Sequence, residues 1–142
     1  MKVVSLSFIL LIGCTDSRVH LIDNFYSYQT HDELRQLINN PISKVGDENH
    51  LSRIVIHYNH IGQDGKLGLL FFDDQLVGVG FYPTDSLKYI NQLKTELNIS
   101  FEENARIFTD KVEISKGYDY EMGSVWGLFV SWVDSGLTEK YK

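Results

Sequence analysis

The sequence predicts an α+β fold, an antiparallel sheet of about five strands with two helices packed on one face, in the order α-β-β-β-α-β-β. Three observations carry this. Short runs alternate apolar and polar residues with the period of a half-buried strand, most clearly from Arg53 to Tyr58. Two other segments place apolar residues at helical spacing behind capping residues. The links between the strands are short enough for hairpins, whereas parallel pairing needs crossovers of about a dozen residues.

In chain order, Thr30-His31-Asp32-Glu33 matches the capping box, and Leu34, Leu37 and Ile38 follow at helical spacing. This predicts a short helix from about Asp32 to Asn39, stopped by Asn40-Pro41. Ile54, Ile56 and Tyr58 then share one strand face, with Arg53, Val55 and His57 on the other, and Gln63-Asp64-Gly65 is read as a turn. Lys66 to Phe72 and Leu76 to Tyr82 are apolar on both faces and flank Asp73-Asp74-Gln75, which predicts a hairpin at the centre of the sheet. Pro83 ends that hairpin. Thr84 or Asp85 caps a second helix to about Leu97, with Leu87, Ile90, Leu93 and Leu97 as its apolar stripe. From Arg106 to Ser115, Phe108, Val112 and Ile114 alternate with Thr109, Lys111 and Glu113, and Lys116-Gly117 is read as a turn. Val125 to Val133 places Trp126, Leu128, Val130 and Trp132 on one face, and Asp134 or Ser135 caps a terminal helical turn.

Composition bounds the function. The chain has 142 residues, 43% hydrophobic and 23% charged, with 13 basic against 19 acidic residues and a formal net charge of −6. One domain is expected, and no basic patch is available for nucleic-acid phosphates, so nucleic acid is not an expected partner. The single cysteine, Cys14, excludes an internal disulfide.

Residues 1–14 read MKVVSLSFILLIGC: one positive charge at Lys2, then an apolar run from Val3 to Ile12 broken only by Ser5 and Ser7. The run has the proportions of a signal-peptide core, and it is too short to cross a hydrocarbon layer of about 30 Å, which needs roughly 20 apolar residues. Leu11-Ile12-Gly13-Cys14 resembles the lipobox of bacterial lipoproteins. That resemblance implies removal of residues 1–13 as a signal peptide, diacylglyceryl attachment to the Cys14 thiol, and often a further acyl chain such as palmitate on its amino group. The competing readings are a buried N-terminal strand with an incidental cysteine, and ordinary secretion without lipid. A lipidated Cys14 makes the membrane itself a partner. Thr15, where inner-membrane lipoproteins tend to carry aspartate, favours the outer membrane facing the periplasm. Residues 14–28 are then a lipidated tether and 29–142 a single domain, and the mature chain 14–142 keeps 12 basic and 19 acidic residues after loss of Lys2.

Motifs for chemistry are sparse. His57 and His60 point to opposite faces of a strand and are read as two solvated histidines, so no metal site is expected. Gly62-Gln63-Asp64-Gly65-Lys66 and Gly78-Val79-Gly80 lack the spacing of phosphate-binding loops, and no cofactor is expected. No Gly-x-Ser-x-Gly elbow occurs, and Asp73 and Asp74 belong to a turn, so no catalytic residue is assigned. The distinctive cluster is Tyr118, Asp119, Tyr120 and Glu121, close to Trp126 and Trp132, which reads as an acidic, aromatic contact surface. Gly78 and Gly80 bare one strand face, for close approach of a helix or to seat a ligand. Together these readings predict a membrane-anchored, non-enzymatic lipoprotein that binds another envelope protein, with an immunity or inhibitor protein as the specific form. The alternative is a small-ligand-binding protein or hydrolase with a pocket between sheet and helices.

Overall fold

The computed structural model describes residues 18–101, 105–121 and 124–140, with the side chains of 119–126 and 138–140 outside that description. Cys14 and the signal-peptide residues lie outside the described residues. The strands are β1 (His20–Ile22), β2 (Phe25–Tyr26), β3 (Ser43–Gly46), β4 (Leu51–His60), β5 (Gln63–Phe72), β6 (Gln75–Pro83), β7 (Arg106–Phe108), β8 (Val112–Glu121) and β9 (Ser124–Asp134). The helices are α1 (Ser86–Leu97) and α2 (Ser135–Lys140). β1 and β2 form a separate ribbon, and the rest make one antiparallel seven-stranded sheet in the order β3-β4-β5-β6-β9-β8-β7.

This overturns the α+β expectation. The described residues are mostly β, with seven strands in the main sheet instead of five, and two short helices. The predicted helix at 32–39 is a run of turns. Thr30 Oγ1 does accept from the Glu33 N–H at 3.2 Å, but the Glu33 carboxylate is held by the Arg18 guanidinium through two contacts of 2.6 and 2.7 Å. Bonds of the three-residue kind, Leu37 N–H to the Leu34 carbonyl among them, mix with four-residue ones, as expected where a segment is too short to sustain a helix. The strands missed are short or polar: β3 is held at the sheet edge by pairing with β4 and lacks an apolar alternation.

Two turns also move. The β4–β5 loop is Ile61-Gly62, both with positive φ (48° and 79°), as a two-residue hairpin loop requires, so Gln63, Asp64 and Gly65 are already strand. Lys116-Gly117 lies within β8, and the β7–β8 turn sits at Thr109–Lys111, where the Thr109 N–H donates to the Val112 carbonyl. The central hairpin is as predicted, with Asp73 and Asp74 at φ of 48° and 61°.

Pairing aligns the core. Ile54, Leu69, Val79, Trp132 and Ile114 form one buried row across five strands, and Ile56, Leu67, Phe81 and Val130 form the next. Three elements cover this face: Leu21, Ile22 and Phe25 of the ribbon, Leu34 of the turns, and Tyr89 and Leu93 of α1. Residues 20–26, placed in the tether by the sequence reading, thus contribute to the core. Each such side chain stabilises by about 1.5–3 kcal/mol. The Asp85 carboxylate caps α1 by accepting from the Lys88 N–H at 3.0 Å, but the buried residues are Tyr89 and Leu93, while Leu87 of the predicted stripe is 74% exposed.

Candidate functional site

The opposite sheet face is built from small residues. Val55, Gly68, Gly80, Ser131 and Ser115 follow one another across it, and Arg53, Leu70, Gly78, Val133 and Glu113 make the neighbouring row. The helix expected over Gly78 and Gly80 is not α1, which lies on the core face. Aromatic rings from the sheet itself fill the space: a Cβ on Gly68 would meet the Tyr82 ring at 3.4 Å, and one on Gly117 would meet the Phe129 ring at 3.0 Å. Tyr82 and Phe129 sit 5.5 Å apart, centroid to centroid. What remains is a shallow apolar groove of about 380 Å³, floored by Gly78 and Gly80 and bordered by Leu70, Tyr82, Phe129 and Tyr118.

Of the predicted contact residues, Tyr118 is 66% exposed at the edge of this groove. The side chains of Asp119, Tyr120 and Glu121 lie outside the described residues, although their backbones pair with β9. Trp132, counted in the same aromatic cluster, is a core residue at 3% exposure.

A second concavity opens on the core side, where the ribbon, the end of α1 and the β7–β8 turn meet. It is a cleft of about 460 Å³ with walls from Leu21, Ile22, Ile99, Val112 and Trp132. His60 lines it and is 2% exposed, which corrects the reading of two solvated histidines: His57 faces solvent and His60 is buried. Its ring lies edge-on to Phe81 and Trp132 at 5.6 and 5.3 Å, and its Nδ1 meets the Tyr89 hydroxyl at 2.7 Å. Burial holds the imidazole below the ordinary histidine value, against smaller upward pulls from the Asp23 and Glu96 carboxylates. Burial likewise raises the Tyr58 and Tyr89 hydroxyls above the ordinary phenol value, with Asp23 adding to both. Asp23, at the ribbon tip with φ of 45°, accepts from the Tyr58 hydroxyl, and its carbonyl meets His20 Nε2 at 2.7 Å.

The sequence reading missed His60 and Tyr89. A signal for His60 was present: it continues the alternation Ile54, Ile56, Tyr58 by one step, which places it on the buried face once the strand extends that far.

One pairing has the look of an acid–base dyad. Asp74 Oδ1 accepts from the His31 backbone N–H at 3.0 Å and contacts the His31 Nδ1, and the ring stacks on Phe71 at 3.9 Å. These contacts, the backbone one foremost, hold the Asp74 carboxyl below its ordinary value. The far nitrogen, His31 Nε2, is buried with no hydrogen-bond partner, so no nucleophile is aligned with it. The pair joins the 30–38 turns to the central hairpin. Among the described residues, no group of three or more His, Cys, Asp or Glu could hold a metal ion, and no helix is long and apolar enough to cross a membrane. The chain matches no protein-family model, no curated protein and no solved structure.

Proposed function

We propose that this chain is a lipid-anchored envelope protein, held through Cys14 in the outer membrane facing the periplasm, whose groove-bearing sheet face binds another envelope protein without catalysis. The observation that carries this reading is the apolar groove over Gly78 and Gly80, bordered by Tyr82, Phe129 and Tyr118. Aromatic rings beside an apolar depression are the usual composition of an interface centre. The partner has a basic surface around an apolar contact segment. The net negative charge of the domain steers such a partner at long range, and the groove makes the contact. Tethering to the membrane raises the effective concentration of two proteins in the same envelope, so a modest contact area suffices. An immunity or inhibitor protein, neutralising a basic toxin or hydrolase, is the specific form that fits both the charge and the absence of an assigned nucleophile.

The test places a photo-crosslinking phenylalanine analogue in the native envelope, either in place of Phe129 or in place of Leu87 on the exposed side of α1. One defined protein adduct at position 129, lacking at 87, is expected. Identical adduct patterns from both positions, or none at 129, count against the reading.

A further inference from the structure

The cleft beside His60 is separate from the groove and faces the opposite side of the sheet. Its polar groups are largely occupied within the protein: the Asp23 carboxylate by the Tyr58 hydroxyl, His20 Nε2 by the Asp23 carbonyl, and the Thr109 hydroxyl by the backbone of Val112. His60 differs. Its one hydrogen bond runs from Nδ1 to the Tyr89 hydroxyl.

That bond decides which tautomer the ring adopts. Tyr89 is fully buried, and its hydroxyl has the His60 ring as its one hydrogen-bond partner. A buried hydroxyl proton must be given to an acceptor, and Nδ1 is the acceptor within reach. Nδ1 therefore carries the lone pair, and in the neutral imidazole favoured by burial the proton sits on Nε2. The cleft thus has largely apolar walls, with the His60 N–H as a donor and the Asp23 carboxylate, engaged through one oxygen by Tyr58, at its ribbon side. No lysine or arginine lines it, and the nearby Asp23 and Glu96 carboxylates give it a negative field, which disfavours anions. A donor facing the ligand in turn calls for an acceptor.

We propose that this cleft binds a small, uncharged, largely apolar carbonyl compound, whose oxygen accepts a hydrogen bond from His60 Nε2 while its body packs against Leu21, Ile22, Ile99 and Trp132. The cleft volume of about 460 Å³ is within the range of small-molecule sites.

The full-length chain is titrated with the neutral naphthyl ketone prodan, followed by its emission, and in parallel with the sulfonate anilinonaphthalenesulfonate. Saturable binding of the ketone with blue-shifted emission, tighter than that of the anion, is expected. His60→Phe keeps the ring and removes the donor, and is expected to weaken ketone binding about tenfold. Ile99→Trp leaves the His60–Tyr89 pair intact and narrows the cleft, and is expected to lose ketone binding. Nitrogen-15 spectra of the unsubstituted protein add a reading that needs no variant: an Nε2–H tautomer at neutral pH whose resonance moves when the ketone is added. An Nδ1–H tautomer, unchanged affinity in folded His60→Phe, tighter binding of the anion, or no saturable binding overturns the proposal.

Discussion

At the scale of single residues, the buried His60–Tyr89 pair has consequences for stability as well as for binding. Removing the hydroxyl with Tyr89→Phe leaves the buried Nδ1 without its donor, and is expected to cost about 1–2 kcal/mol in urea unfolding. The pair also makes stability depend on pH. His60 in the folded state binds its proton less tightly than in the unfolded chain, because burial outweighs Asp23 and Glu96. The unfolded state therefore takes up protons first, and the contribution is full above about pH 6.5 and is lost as pH falls through the folded value. Asp74 has its window lower: its folded carboxyl is depressed by the His31 contacts, so its contribution is present above about pH 4 and disappears as pH falls through the folded value. Urea midpoints measured from pH 8 to pH 3 are expected to fall in two stages, with His60→Gln flattening the upper one and Asp74→Asn the lower. A profile unchanged by either substitution contradicts both assignments.

At the scale of elements, the glycines of the central hairpin separate into two kinds. A Cβ on Gly65 would come within 2.3 Å of the Tyr82 carbonyl oxygen and 2.8 Å of the Phe81 ring, so β5 must pass there without a side chain. Gly65→Ala is expected to destabilise by about 2 kcal/mol or more in thermal or urea unfolding. Gly80 is the opposite case, since its nearest contacts would be 3.9–4.0 Å from the Phe129, Tyr82 and Ser131 side chains. Gly80→Ala is expected to stay within about 0.5 kcal/mol of the parent chain, while adding a methyl to the groove floor. If the groove is the docking face, that substitution weakens the position-129 crosslink without unfolding the protein. Helix α1 offers a third check: Leu93→Ala in its buried face is expected to cost about 2–5 kcal/mol, and Leu87→Ala on its exposed face close to nothing.

At the scale of the molecule, the sheet is sided. The ribbon, the turns and α1 bury one face, leaving the groove on the other, so the proposed binding surface and the proposed ligand cleft are held apart by a single layer of strands. A rigid antiparallel sheet keeps the groove preformed, which limits the ordering cost of docking. The proposed anchor at Cys14 belongs to the same scale. Two or more acyl chains at Cys14 hold a protein on a membrane far more firmly than one, because each buried CH₂ contributes about 0.8 kcal/mol. Cys14→Ala is expected to release the protein from the membrane fraction and to reduce the position-129 crosslink, and continued membrane fractionation without lipid contradicts the anchor.

The sequence by itself determined the elements whose signals are local. The alternation from Arg53 to Tyr58, the apolar runs around Asp73-Asp74, the cap at Asp85 and the stop at Pro83 each lie within a few neighbouring residues, and strands, hairpin and helix formed there. Tyr118 was legible as an exposed aromatic for the same reason. Only the tertiary structure decided the rest. The capping box at Thr30 yielded turns: the segment is too short to sustain a helix, and Arg18, fifteen residues from Glu33, holds the glutamate that would close the box. Tyr89, outside the predicted stripe, is buried while Leu87 is exposed, and burial of its phenol is satisfied by an acceptor that His60 supplies from 29 residues away. The bare glycine face was visible in the chain, but what covers it was not. Tyr82 stands two residues from Gly80 on the same strand face, but Phe129 reaches those glycines only through the pairing of β6 with β9, and such a long-range partner leaves no periodicity to read.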